Sequence, residues 1–154
     1  PAKVGILGFS AGGHLAGSAA LLPPVDGGSF EDAVEQHPCR PDFAVLVYPV
    51  VSLTAACAHQ GSHQNLLGDE AETDLAAELS LEQAVTASAP PMLLIHTDED
   101  DAVPPENSTL LYRALRAHRV PAELHIYERG RHGIGLAENH PWGAACLEWL
   151  KNRL

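Results

Sequence analysis

The run Gly8-Phe9-Ser10-Ala11-Gly12 sets a serine between two glycines, with an apolar stretch before it and an Ala/Leu-rich stretch after it. A serine hydroxyl is a poor nucleophile until a base takes its proton, so Ser10 does acyl chemistry only if an imidazole and an orienting carboxylate reach it. The chain carries candidates for both. Asp98-Glu99-Asp100-Asp101 is a run of acids directly after the apolar Met92–Thr97, and His132 stands in the glycine-flanked Arg129-Gly130-Arg131-His132-Gly133. Each feature alone has an ordinary explanation: a glycine-rich turn with an incidental serine, a solvated acidic loop, an idle loop histidine. What joins them is placement, because serine, acid and histidine each follow the end of a different apolar run.

Those runs are the elements that must do the positioning. Val4–Gly8, Phe43–Val51, Met92–Thr97 and Ala122–Glu128 read as strands, and the first three are near-continuously apolar, as strands buried on both faces of a parallel sheet are. Helical periodicity covers Ser10–Leu22, stopped by Pro23-Pro24, and Glu106–Arg119, with Leu110, Leu111, Ala114, Leu115 and His118 on one face. A closing helix over Trp142–Leu154 repeats Trp142, Ala145, Cys146, Trp149 and Leu150 at three/four spacing. Asp74–Leu79 and Ser80–Val85 read as short helices, and residues 23–41 as a loop with one helical turn. Strand–helix alternation of this kind predicts a three-layer α/β domain with right-handed crossovers.

In that frame Ser10 sits on a strand-to-helix turn. Such a turn strains the serine backbone, admits only small residues two positions either side, and aims the free N–H groups of the helix start, Ala11 first, at the place where an oxyanion would form. Active-site residues of open α/β sheets sit at the carboxyl ends of strands, which is where all three candidates fall.

Composition bounds the partners. With 154 residues the chain reads as one domain, residues 1–154, with a real core. A formal charge of −11, from 20 acids against 9 Lys and Arg, argues against nucleic acid. No apolar run reaches the ~18–20 residues that span a bilayer, which argues against a membrane partner. Cys39, Cys57 and Cys146 cannot all pair and none lies in a C-x-x-C, which favours a reducing, cytoplasmic setting over a disulfide scaffold. The chain starts at Pro1, so secretion stays open. His59 and His63 would share a metal only on a helix, against which Gly61 and Ser62 argue. Neither a metal nor a cofactor is expected.

Several stretches together carry a resemblance: GFSAGGHLAG, RPDFAVLVYPVVSL, APPMLLIHTDEDDAVPPENS, YRALRAHRVPAELHIYERGRHGIGL and the terminal W-x-x-x-x-x-x-W-L helix. The chain resembles the C-terminal portion of a serine α/β-hydrolase, closest to the acetyl-xylan-esterase-like carbohydrate esterases, which are similar to dienelactone hydrolases and the prolyl-oligopeptidase catalytic domain. The resemblance covers nearly the whole chain and implies an α/β-hydrolase sheet cut to its last four parallel strands. The family pattern H-G-x-x-D-x-x-V-P, set in register by Val103-Pro104, selects Asp100 as the acid, with Asp101 the fallback, and H-G-F falls on His132-Gly133-Ile134. Thr97 stands where the family has Gly, and Ile134 where it has an aromatic residue. Ser10, His132 and Asp100 are then nucleophile, base and orienting acid, and Ala11 N–H an oxyanion donor. Tyr48, Val103 and Trp142 are candidates for the substrate pocket. His14 belongs to a G-G-H form the family shows and is expected to pack or hydrogen-bond, while Asn65-Leu66-Leu67-Gly68 matches a family stretch expected to shape the structure.

The implied activity is a serine carboxylesterase on short acyl esters, acetylated sugars or xylan above all. Two alternatives stand beside it: a catalytically incomplete remnant or assembly subunit, and a peptidase or amidase on the same fold. The family's earlier strands and its glycine-rich loop, which supplies a second oxyanion donor, are not in the sequence. The first strand is therefore expected at an open edge that self-associates into a homo-oligomer.

Overall fold

A computed structural model of the protein describes residues 3–22, 37, 39–68, 73–136 and 139–154. Among the described residues four strands, β1 (Gly5–Phe9), β2 (Phe43–Val47), β3 (Met92–Thr97) and β4 (Ala122–Tyr127), form one sheet in the order β1-β2-β3-β4. All pairings are parallel, with Phe9 opposite Val47, Val47 opposite Ile95 and Thr97 opposite Tyr127. Every carboxyl end therefore lies along one rim. Five helices accompany them among the described residues: α1 (Ala11–Leu21), α2 (Gln60–Leu67), α3 (Thr73–Glu78), α4 (Glu106–Ala117) and α5 (Trp142–Lys151).

The three layers follow from strand alternation. In β2 and β3 every residue is buried, so both faces need cover. Ala44, Leu46, Met92 and Leu94 face Ala16 and Ala20 of α1 and Leu111 and Leu115 of α4. Phe43, Val45, Leu93 and Ile95 face Trp142, Cys146 and Trp149 of α5. At about 25 cal/mol per Å² of apolar surface removed from water, these two faces are the main stabilising term. β1 departs from the expected burial on both faces: Leu7 is 44% and Phe9 36% exposed, and its outer edge pairs with no strand among the described residues.

Other boundaries shift for local reasons. β2 stops at Val47 rather than Val51, because Tyr48 turns the chain with φ 37 and Pro49 has no N–H to donate. Residues 80–85 form turns instead of a helix. Ser80 Oγ accepts from Leu53 N–H at 2.9 Å and donates to Ala76 O at 2.8 Å, using side-chain bonds in place of a helical ladder. α2 forms despite Gly61, because His59 caps it: its Nδ1 accepts from Ser62 N–H at 3.2 Å. His59 and His63 are thus in a helical setting after all, yet no group of three His, Cys, Asp or Glu side chains comes together to hold a metal ion among the described residues. The expected loop turn within 23–41 falls largely outside the described residues.

The two motif glycines are not equivalent. A Cβ on Gly8 would meet Gly12 O at 2.1 Å, a backbone atom with nowhere to go, whereas a Cβ on Gly12 would meet nothing within 4 Å. The close strand–helix approach therefore demands glycine at position 8 only, which narrows the expectation of small residues on both sides. Gly8→Ala is expected to cost about 3 kcal/mol or more, or to abolish folding, while Gly12→Ala keeps a near-native midpoint in urea unfolding.

Candidate active site

Ser10 is the hinge between β1 and α1, at φ 53 and ψ −123, a conformation non-glycine residues rarely hold. Two backbone bonds keep it there: Ser10 N–H donates to Val47 O at 3.1 Å, and Ser10 O accepts from Val50 N–H at 3.2 Å. The turn lifts the side chain off the sheet rim. Behind it, the first N–H groups of α1, including that of Ala11, have no acceptor within the helix and point outward with the positive end of its dipole.

Side chains from three strand ends meet here. Ser10 Oγ lies 2.9 Å from His132 Nε2, and His132 Nδ1 lies 2.7 Å from Asp100 Oδ2. A carboxylate only accepts, so Nδ1 carries the ring proton and Nε2 is left to accept from the Ser10 hydroxyl. Asp100 is itself anchored, its Oδ1 accepting from Ala102 N–H at 3.0 Å and Val103 N–H at 2.9 Å. Its side chain is wholly buried, whereas Asp98, Glu99 and Asp101 are exposed around it. The geometry therefore selects Asp100 from the acidic run and leaves its neighbours as a fringe of negative charge.

The loop carrying His132 is tied back to β3. Thr97 Oγ1 donates to Gly130 O at 2.6 Å, and Gly130 N–H donates to Glu99 Oε2 at 3.0 Å. Gly130 takes φ 137, and a Cβ there would strike Thr97 Cγ2 at 2.8 Å. Thr97, where the resembled family has glycine, thus works as a tether for this loop.

Sequence reasoning passed over His96, which is fully buried. Its Nε2 lies 2.8 Å from Val103 O and 3.5 Å from Asp100 Oδ2, and its Nδ1 lies 2.8 Å from Ser108 Oγ. The carbonyl fixes the tautomer: Nε2–H donates and Nδ1 accepts. His96 thereby links the end of β3, the Asp100 loop and the start of α4. Asn107 does similar work, its Oδ1 accepting from Val51 and Ser52 N–H and its Nδ2 donating to Cys57 O and Pro104 O. The available signal was their spacing, His96 four before Asp100 and Asn107-Ser108 just past Val103-Pro104.

The three expected pocket residues lie inside the packing. Val103, Trp142 and Tyr48 are 0%, 1% and 5% exposed. Tyr48 packs on His132, with ring centroids 4.8 Å apart, and Trp142 packs edge-on against Phe9. The cavity beside Ala11, about 400 Å³, is lined instead by Leu15, Val50, Leu53, Asn65 and Leu66 among others. His14 borders it and is held by a 2.9 Å bond between Nε2 and Leu79 O.

A parallel sheet with helices on both faces, a strained serine between strand and helix, and acid and histidine on later strand ends together define the α/β-hydrolase class. The chain belongs to the BD-FAE family, whose sequence model matches residues 1–115. A solved acetyl ester-xyloside bifunctional hydrolase from Caldicellulosiruptor lactoaceticus superposes with a TM-score of 0.90 at 45% identity, over 96% of this chain and 56% of that one. An acetylxylan esterase of Xylanibacter ruminicola is 33% identical over 160 residues, 99% of this chain and 31% of its own length. Endo-1,4-beta-xylanase B of Butyrivibrio fibrisolvens is 36% identical over 143 residues, 89% of this chain and 21% of its own. The chain thus spans under a third of the curated relatives it matches. No helix among the described residues is long and apolar enough to cross a membrane.

Burial lowers the proton affinity of both His96 and His14 below the ordinary value of 6.5, outweighing the backbone carbonyl bonds that oppose it. The unfolded chain takes up these protons near pH 6.5 and the folded chain resists them, so this contribution to stability is complete above that pH and is lost as the pH falls below it. Thermal unfolding is expected to show a midpoint that drops between about pH 7.5 and pH 5.5, with a shallower drop in His96→Gln, which cannot ionise.

Proposed function

We propose that this chain carries the catalytic centre of a serine carboxylesterase that removes short acyl groups, acetyl foremost, from carbohydrate such as acetylated xylan. The observation that carries this reading is the continuous bond path from Ser10 Oγ through His132 to the buried Asp100, 2.9 Å and 2.7 Å in its two steps. Its substrate class draws support from relatives named as an acetylxylan esterase and an acetyl ester-xyloside hydrolase.

On this reading Ser10 Oγ attacks the ester carbonyl carbon while His132 Nε2 takes its proton. Asp100 holds the Nδ1–H and offsets the imidazolium charge. The oxyanion of the tetrahedral intermediate is met by Ala11 N–H and the dipole of α1, which are oriented before the charge appears and cost no reorganisation. The alcohol leaves with the proton from His132. Water then gives a proton to the same nitrogen and adds to the acyl carbonyl, and as the carbon–Oγ bond breaks His132 returns that proton to Ser10, freeing the carboxylic acid. A site of this kind has no need of a cofactor.

Ser10→Ala is expected to lower kcat for p-nitrophenyl acetate by about 10⁴-fold or more, and His132→Ala by a similar factor. Asp100→Asn, which favours the wrong tautomer, is expected to cost about 10⁴-fold at unchanged fold. Turnover that survives Ser10→Ala would remove the proposal. Acetate released from acetylated xylo-oligosaccharides, set against cleavage of an acetyl anilide, measures the preference for esters.

A further inference from the structure

We propose that Tyr48 is the positioning residue that couples the Ser10 turn to the His132 ring, so that nucleophile and base are set by a single kink in the backbone after β2. The inference rests on the esterase reading above.

Tyr48 takes φ 37, in the left-handed region that a bulky side chain avoids. Strain of this sort persists only where the surroundings over-determine it, and it gathers where geometry matters for function. Here both sides of the kink are held. Tyr48 N–H donates to Ile95 O at 2.7 Å, which keeps the kink on the sheet. The flanking residues, Val47 and Val50, supply the two backbone bonds that fix Ser10. The turn that pins the nucleophile's backbone is thus the one that throws the Tyr48 side chain across the rim toward the base.

That side chain meets His132 in two ways. Its ring lies 4.8 Å from the imidazole, centroid to centroid, inclined by 62°, and its hydroxyl donates to Ile134 O at 3.3 Å, two residues past His132. The ring contact supplies what Asp100 cannot. One hydrogen bond from Nδ1 to a carboxylate leaves the imidazole free to tilt about the line of that bond. A ring packed against its flank removes that freedom and keeps Nε2 directed at Ser10 Oγ. The hydroxyl meanwhile steadies the loop from which His132 projects. Phe9 also packs against the Tyr48 ring, with centroids 5.8 Å apart. Because Tyr48 is only 5% exposed, it acts through His132 and offers no wall to a substrate.

The test separates positioning from both substrate contact and plain stability. Tyr48→Phe and Tyr48→Leu are made in the intact protein, and kcat and KM for p-nitrophenyl acetate are measured beside the wild type and Ser10→Ala. Wild-type turnover that persists in Ser10→Ala refutes the esterase centre itself, and this inference with it. Where turnover depends on Ser10, Tyr48→Leu is expected to lose about a hundredfold in kcat with KM within about twofold. Tyr48→Phe, which keeps the ring, is expected to recover to within about fivefold of the wild type. A folded Tyr48→Leu that raises KM at constant kcat makes Tyr48 a substrate contact and overturns the proposal. So does one that loses thermal stability while keeping kcat, or a Tyr48→Phe as impaired as Tyr48→Leu. If Tyr48→Leu fails to fold, Tyr48→Met takes its place under the same criteria.

Discussion

Everything at the rim depends on one strained peptide. Ser10 holds its angles because β2 offers a carbonyl to its N–H and, three residues on, an N–H to its carbonyl. A strained backbone of this kind persists only where its surroundings hold it, and those two bonds tie it to the chain around Tyr48. The constraint reaches further. Gly8 must let α1 come within contact distance, and Gly13 must pass close to Pro49, where a Cβ would sit 2.9 Å from the proline ring. The geometry at Ser10 is thus a property of the β1–β2 pair rather than of the short motif alone.

Labour in the sheet is divided accordingly. β1, β3 and β4 are each followed by one member of the serine–histidine–acid bond path, while the end of β2 supplies backbone bonds to Ser10 and the Tyr48 ring against His132. The buried polar residues near β3, His96, Asn107 and Ser108, form no part of the bond path from serine to acid, yet each satisfies backbone or side-chain groups that would otherwise be stranded in the interior. A buried polar group left without a partner costs about 1–3 kcal/mol, so such a network specifies one arrangement of the Asp100 loop against its competitors.

Much of this was legible in the residue order. Near-continuous apolar runs marked β2 and β3, and the helical periodicities of α1, α4 and α5 stood within a few residues of their observed ends. What stayed hidden depends on tertiary contact. Pro49 is a local reason for β2 to end early, but no local signal tells that Tyr48 would take a left-handed φ, since the bonds around that kink run to Ser10 and Ile95, distant in sequence. Propensity misjudged Gly61, because a histidine cap compensated for it. Val103, Trp142 and Tyr48 are types found in pockets and in cores alike, and only coordinates distinguish the two. At Asp100, by contrast, the resembled family's pattern, aligned on Val103-Pro104, favoured one acid of the run with Asp101 as fallback, and Asp100 is the one whose side chain is buried against His132.

Asp98, Glu99 and Asp101 fringe the rim without entering the bond path, and they bear on a later stage than chemistry. A neutral ester approaches such a fringe with little electrostatic cost. On the esterase reading proposed above, the second half of an acyl transfer to water leaves a carboxylate on a molecule whose formal charge is −11, at a rim where these exposed acids outnumber Arg129 and Arg131 of the histidine loop. Under that reading the acidic surface would leave the approach of a neutral ester almost unaffected while disfavouring retention of the released acid anion.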